Sequence, residues 1–227
     1  MKRVYLTFAV ALFALAATPE VRASAPCAAS ASTALVSTLL AQAPGLRADV
    51  LRLALEATEC AAGRGLVTRP NVLTVIDYSL PSSEPRLFVF DLNGQKLLFR
   101  ELVAHGKTSG GDHADFFSNK QKSLATSLGL FVTADPYVGK NGYSLRLRGL
   151  EKGINDQAWS RSIVLHGASY VSRSAIQALG RLGRSWGCPA VRKEIAGKVI
   201  DTLRGGSPIF AYYPDRNWLS TSAFVAH

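Results

Sequence analysis

A chain of 227 residues, 48% apolar and only 19% charged, has the material for a packed core and lacks the composition of a disordered polymer. The length suits one domain of moderate size, with room for a small helical prefix. The net charge of +10 calls for anionic partners, but no phosphate loop or dinucleotide fingerprint accompanies it.

The first residues read as an export leader. Lys2 and Arg3 form a positive start, and Val4 to Ala17 is an uncharged, largely apolar run too short to cross a bilayer comfortably. Val21-Arg22-Ala23 offers small residues for cleavage, whereas Pro26 before Cys27 fits a lipoprotein box poorly. We expect cleavage after Ala23, removal of residues 1–23, no stable membrane span afterwards, and a periplasmic product. Loss of Lys2, Arg3, Arg22 and Glu20 lowers the net charge from +10 to +8. An exported basic protein meets no nucleic acid; envelope polymers, acidic peptides and lipid headgroups are its anionic partners. In an oxidising compartment Cys27 and Cys60 can pair, leaving Cys188 as the odd thiol, although sequence does not fix the connectivity.

Residues 24–68 form a helical segment. Leu46, Val50, Leu53, Ala54 and Ala57 recur at helical spacing, and Gly63 and Gly65 end the pattern. The period then changes. Residues 72–76 read as a strand, and 86–92 and 95–103 as a hairpin about Asn93-Gly94, a pair suited to positive φ at both central positions. Further strands are expected at 129–133, 143–147, 162–166 and 208–213, with helices at 173–182 and 192–203, the latter stopped by Gly205-Gly206. The fold class is mainly β (α+β): a domain over 69–218 with short helices, then a tail over 219–227.

The stretch from Ile163 to Val191 carries the chemistry. His166 ends an apolar strand and Gly167 follows; Cys188 lies in Arg184-Ser185-Trp186-Gly187-Cys188-Pro189. A cysteine beside an imidazole can exist as a thiolate–imidazolium pair and act as a nucleophile. Gly167 lets the backbone bend so that a carbonyl fixes the ring's tautomer. Gly187 leaves the thiol uncrowded, and backbone N–H groups at this turn, that of Cys188 included, are candidates for an oxyanion hole. By themselves one histidine and one cysteine are weak evidence, because buried cysteines are usually inert and single histidines usually structural.

The run from about 75 to 213 resembles the murein L,D-transpeptidase (YkuD-like) catalytic domain, in the branch whose signature reads G-R-x-G-R-S-x-G-C-P. Here that signature is Gly180-Arg181-Leu182-Gly183-Arg184-Ser185-Trp186-Gly187-Cys188-Pro189, accompanied by Asp77-Tyr78-Ser79, Val103-Ala104-His105-Gly106, Tyr143-Ser144-Leu145-Arg146-Leu147 and Asn155-Asp156. The resemblance implies a YkuD-like β-sandwich or barrel and a peptidoglycan L,D-transpeptidase that needs no cofactor. It maps the nucleophile onto Cys188, the base onto His166, the orienting carbonyl onto Gly167 and the serine before the nucleophile onto Ser185. Trp186 stands where the commoner pattern has histidine, and the basic residue usually close after the cysteine comes only at Arg192.

The implied reaction is ping-pong. Cys188 attacks a stem-peptide donor, a D-amino acid leaves, and an amine resolves the thioester. That amine belongs to a second stem or to a protein, such as one of the outer membrane; with water instead, the enzyme is an L,D-carboxypeptidase. Acylation by carbapenems is implied as well. The rival of another class is a non-catalytic peptidoglycan-binding protein. Arg184 and Arg192 flank the nucleophile and are candidates to clamp a stem carboxylate, with Arg181 and Arg173 behind them. His105 is a candidate donor at the cleft or a structural histidine, and Tyr170 and Trp186 touch substrate or simply pack. His113 sits in an exposed Gly/Asp-rich loop. No metal-ligand spacing occurs, so no metal is expected.

Overall fold

The structure, a computed structural model, describes Met1, Cys27 and residues 31–225; the expected leader and its cleavage site lie outside the described residues. The expected helical stretch folds as two helices, α1 (Thr33–Leu40) and α2 (Ala48–Gly63). Pro44-Gly45 separates them, with Gly45 turning the chain at φ 95°. Val50, Leu51, Ala54, Leu55, Ala57 and Ala61 are buried along α2, which packs over β1 (Val72–Asp77) and β9 (Pro208–Tyr212). Each large aliphatic side chain buried there contributes roughly 1.5–3 kcal/mol, so the helices share one core with the sheet. Cys27 is bonded to Cys60 of α2, and Cys188 is the free cysteine.

Among the described residues seven further strands complete a mostly β fold: β2 (Leu87–Asp91), β3 (Lys96–Glu101), β4 (Val103–Ala104), β5 (Gly129–Gly139), β6 (Gly142–Gly149), β7 (Val164–Ala168) and β8 (Ala190–Arg192). Their order is β3-β2-β1-β9-β5-β6-β7-β8-β4. The two outermost strands, β3 and β4, are successive in sequence with only Leu102 between them. The sheet therefore curls until its edges nearly meet. Two arginines fasten this seam. Buried Arg86 donates from Nε (3.1 Å) and Nη2 (3.0 Å) to the Val103 carbonyl and from Nη1 to the Leu80 carbonyl (2.8 Å). Arg192 on β8 makes a two-pronged pair with Glu101 at the end of β3, at 2.9 and 2.6 Å.

Several boundaries differ from the sequence reading. The strand expected over 95–103 is two, because the chain steps at Leu102 from one edge of the sheet to the other. The β2–β3 turn takes positive φ at Gln95 (50°) rather than at Asn93 and Gly94. The Asp91 carboxylate accepts the N–H groups of Asn93 and Gly94 (both 3.1 Å) and so holds a longer loop. Strand β5 continues past Thr133 through Pro136, where a register shift absorbs the proline. β7 begins at Val164 instead of 162, since Ser162 has φ 55°. α3 (Arg173–Leu179) stops short of 182 because Gly180 caps it at φ 69°. α4 (Lys193–Leu203) agrees with expectation to one residue. Strand β8 and helix α5 (Arg216–Thr221) were not expected; α5 docks through Trp218, whose Nε1 donates to Glu151 Oε2 at 3.0 Å.

Candidate active site

Parallel pairing of β7, which carries His166, with β8 brings the turn that holds Cys188 to the edge of the histidine strand. His166 is opposite Ala190, and its N–H donates to the Pro189 carbonyl at 3.3 Å, so Cys188 lies just before the paired residues. The segment leading into β7 wraps the sulfur. The Val164 N–H donates to Cys188 Sγ at 3.5 Å, and the thiol faces the Ser162 carbonyl at 3.8 Å. Val164 and His166 are two residues apart on one strand and project to the same side. Cys188 and His166, 9% and 5% exposed, both line an open cleft of about 700 Å³.

The His166 Nδ1 lies 3.1 Å from the Gly167 carbonyl. A carbonyl only accepts, so Nδ1 carries the proton and Nε2 is the basic nitrogen. Gly167 is required on the other side as well: a Cβ there would lie 2.8 Å from Ala196 Cβ and 3.1 Å from Lys193 Cα, where α4 packs against β7. Burial lowers the His166 pKa below the ordinary imidazole value, partly offset by the Gly167 carbonyl. Burial likewise raises the Cys188 thiol, partly offset by the Val164 N–H and by Arg161. Burial thus disfavours the charged form of each group, the thiolate and the imidazolium alike.

Ser185 organises the turn that carries Cys188. Its Oγ accepts the Gly187 N–H at 3.1 Å and donates to the Cys188 carbonyl at 2.6 Å. The Gly187 N–H is thereby occupied and is not an oxyanion donor. Gly187 serves through its φ of 113° and its lack of a side chain, since a Cβ would come within 2.6 Å of the Ala125 carbonyl oxygen. The Cys188 N–H makes no hydrogen bond within the turn or to other described residues.

Two expected substrate contacts are corrected. Arg192 is spent on Glu101 at the sheet seam and does not line the cleft. His105 is 1% exposed and belongs to the interior: Arg86 Nη2 approaches its Nδ1 at 2.7 Å, and its Nε2 lies 3.4 Å from the Gly110 carbonyl. Its backbone still matters to the site, because the His105 carbonyl accepts the Ser185 N–H at 2.9 Å and the Ser185 carbonyl accepts the Lys107 N–H at 2.8 Å. Arg184, Ser185, Tyr170 and Trp186 do line the cleft. Arg184 is partly engaged, donating from Nη1 to the Gly110 carbonyl at 2.7 Å. Tyr170 stays a neutral phenol, its pKa pushed up to about 12 by burial and then by the neighbouring Cys188. Trp186 is 69% exposed at the rim, with Lys140 Nζ 6.0 Å from its ring. Arg181 turns back onto the Leu182 carbonyl, and His113 is exposed as expected. Among the described residues no cluster of His, Cys, Asp and Glu is arranged to hold a metal.

Sequence reasoning passed over Lys140, Arg161, Ser162 and Lys193, which also line the cleft. The only available signal was Arg161-Ser162 directly ahead of the histidine strand. With Arg184, these residues give the cleft four cations and no carboxylate.

A family model described as the L,D-transpeptidase catalytic domain matches residues 42–212. No curated protein matches this chain in sequence. Among solved structures, an L,D-transpeptidase from Mycobacterium smegmatis is 15% identical, with a TM-score of 0.39 over 63% of this chain and 59% of that one. An L,D-transpeptidase (residues 123–326) from Xylanimonas cellulosilytica is 14% identical, with a TM-score of 0.37 over 81% and 95%. The helical cell shape determining protein Pgp2 (K307A mutant) from Campylobacter jejuni is 9% identical, with a TM-score of 0.42 over 73% and 57%. The matched region thus spans about six-tenths of the mycobacterial structure. With its match covering most of its length, the chain belongs to the L,D-transpeptidase catalytic domain family.

Proposed function

We propose that this protein is a periplasmic peptidoglycan L,D-transpeptidase in which Cys188 is the nucleophile and His166 the general base. The observation that supports the reading is the cleft lined by both the free thiol of Cys188 and the imidazole of His166, whose Nδ1 faces the Gly167 carbonyl. As the thiol attacks the scissile carbonyl, its proton passes to His166 Nε2 while the S–C bond forms. The Cys188 N–H donates to the developing oxyanion. Collapse breaks the C–N bond, and His166 returns the proton to the departing amine, leaving a thioester. An acceptor amine then attacks that carbonyl and yields its proton to Nε2; the thiolate departs and is reprotonated.

The cleft's four cations and absent carboxylates suit stem peptides, which carry several carboxylates. Export is supported by the leader-like start and by the Cys27–Cys60 disulfide, which belongs to an oxidising compartment. No helix among the described residues is long and apolar enough to cross a membrane. The test is incubation with purified tetrapeptide muropeptides. Crosslinked dimers are expected; shortened monomers alone make the protein an L,D-carboxypeptidase, and unchanged muropeptides overturn the reading.

A further inference from the structure

We propose that Arg161 is a positioning residue that supplies the fixed positive charge beside Cys188, favouring its thiolate as the sulfur gives up its proton. The proposal rests on the reading of Cys188 as nucleophile and names a residue that neither the signature nor the sequence pattern singles out.

Three features of the structure converge on it. First, Arg161 meets the catalytic turn directly: its Nη2 lies 3.2 Å from where a Cβ of Gly187 would stand, one residue from the nucleophile. Its successor Ser162 offers the carbonyl that faces the thiol at 3.8 Å. Ser162 does so with φ 55°, a left-handed conformation that a serine rarely adopts and that is commoner where function fixes the backbone.

Second, the guanidinium is held immobile by neutral groups alone. Nη1 donates to the Ser118 carbonyl (2.7 Å) and Ser127 Oγ (2.5 Å). Nη2 donates to the Ala125 carbonyl (2.6 Å) and Ser123 Oγ (3.2 Å). The ion pairs among the described residues are Arg47–Asp49 and Arg192–Glu101, so Arg161 has no carboxylate. A half-buried cation without an anion is unfavourable unless one forms nearby. The group whose negative charge would favour the Arg161 cation is Cys188.

Third, the usual source of positive charge is missing. Arg192, the basic residue after the cysteine, is neutralised by Glu101 on the far side of β8. Burial lowers the His166 pKa and so disfavours a charge on the ring before it accepts the proton. The other groups around the sulfur are Tyr78 after β1 and Tyr170 after β7, both held neutral with pKa values of about 12, and the cleft cations Lys140, Arg184 and Lys193. Of the cations, Arg161 is the one against the Gly187–Cys188 turn and locked from four sides.

The pH dependence of Cys188 alkylation by iodoacetamide tests this, read by mass spectrometry on the whole protein, wild type against Arg161→Gln and Arg161→Lys, with circular dichroism confirming the fold. Removing the charge is expected to move the titration midpoint upward and slow alkylation at neutral pH by roughly tenfold, with rates converging on one plateau at high pH. Arg161→Lys, which keeps the charge but cannot span four acceptors, is expected to stay near the wild-type midpoint. A clip that merely holds the loop predicts the reverse: both variants slowed at every pH. An unmoved midpoint in folded Arg161→Gln overturns the proposal. So does a folded Arg161→Lys alkylated at neutral pH roughly tenfold more slowly than wild type, a comparison that decides the matter even if Arg161→Gln does not fold. Absence of alkylation of wild-type Cys188 at every pH overturns the nucleophile reading itself, a separate outcome.

Discussion

The Ser185 hydroxyl and the Cys188 carbonyl are joined by a 2.6 Å hydrogen bond, and the same hydroxyl accepts the Gly187 N–H. One side chain thus bridges both ends of the Gly187–Cys188 turn. Ser185→Ala loses both bonds at a site nearly closed to water. We expect acylation of Cys188 to slow by roughly tenfold or more, with a fall in overall stability of about 1–2 kcal/mol. Ser185→Thr, which keeps the hydroxyl, is expected to recover most of the rate. Acylation kinetics and thermal melts on the two variants check this.

Arg192 lies outside the cleft and closes the sheet seam with Glu101. The pair is two-pronged, with the arginine side chain 37% and the glutamate side chain 12% exposed. Arg192→Gln is therefore expected to cost about 1 kcal/mol, a fall of roughly 2–4 °C in Tm, while leaving the KM for a stem-peptide donor unchanged. A raised KM at unchanged Tm would restore Arg192 to the substrate side.

His105 gives the fold an acid-sensitive point. Burial, and then the Arg86 guanidinium, push its pKa from 6.5 down to about 4. The folded state therefore holds a neutral ring where the unfolded chain would bind a proton. This contribution to stability is whole above about pH 6.5 and is lost as pH falls from 6.5 toward 4, on the order of 3 kcal/mol across the window. Asp77 and Glu151, both raised by burial, act in the opposite direction but equally in a His105→Gln variant. Denaturant unfolding at pH 4, 5.5 and 7 should show a shallower pH dependence in His105→Gln than in wild type. Parallel curves would contradict the assignment.

The parts of this account that were legible in sequence are those encoded locally. The run 72–76 announced a strand, which is buried between β2 and β9, and the helical spacing found Val50, Ala54 and Ala57 of the buried face of α2 but not Leu51 and Leu55. The His166-Gly167 and Ser185-to-Cys188 segments were found because each chemical requirement falls within a few residues. What was missed depends on distant partners. Nothing near Arg192 indicates that Glu101 lies across the sheet seam, since that contact exists only once β3 and β4 become opposite edges. His105 was open in sequence between a cleft donor and a structural histidine, and Arg86, 19 positions earlier, decides for the interior by filling the space beside its Nδ1. Arg161 carried no motif at all; its importance arises from serines at 118, 123 and 127 and from a turn that follows it by a whole helix.

The most direct measurement is intact-protein mass spectrometry after incubation with a carbapenem, on wild type, Cys188→Ser and His166→Ala. The account predicts one covalent adduct on wild type, located at Cys188 by peptide mapping, none on Cys188→Ser, and an adduct forming slower by at least about a hundredfold on His166→Ala. An unmodified wild-type protein, or an equal adduct on Cys188→Ser, would contradict it.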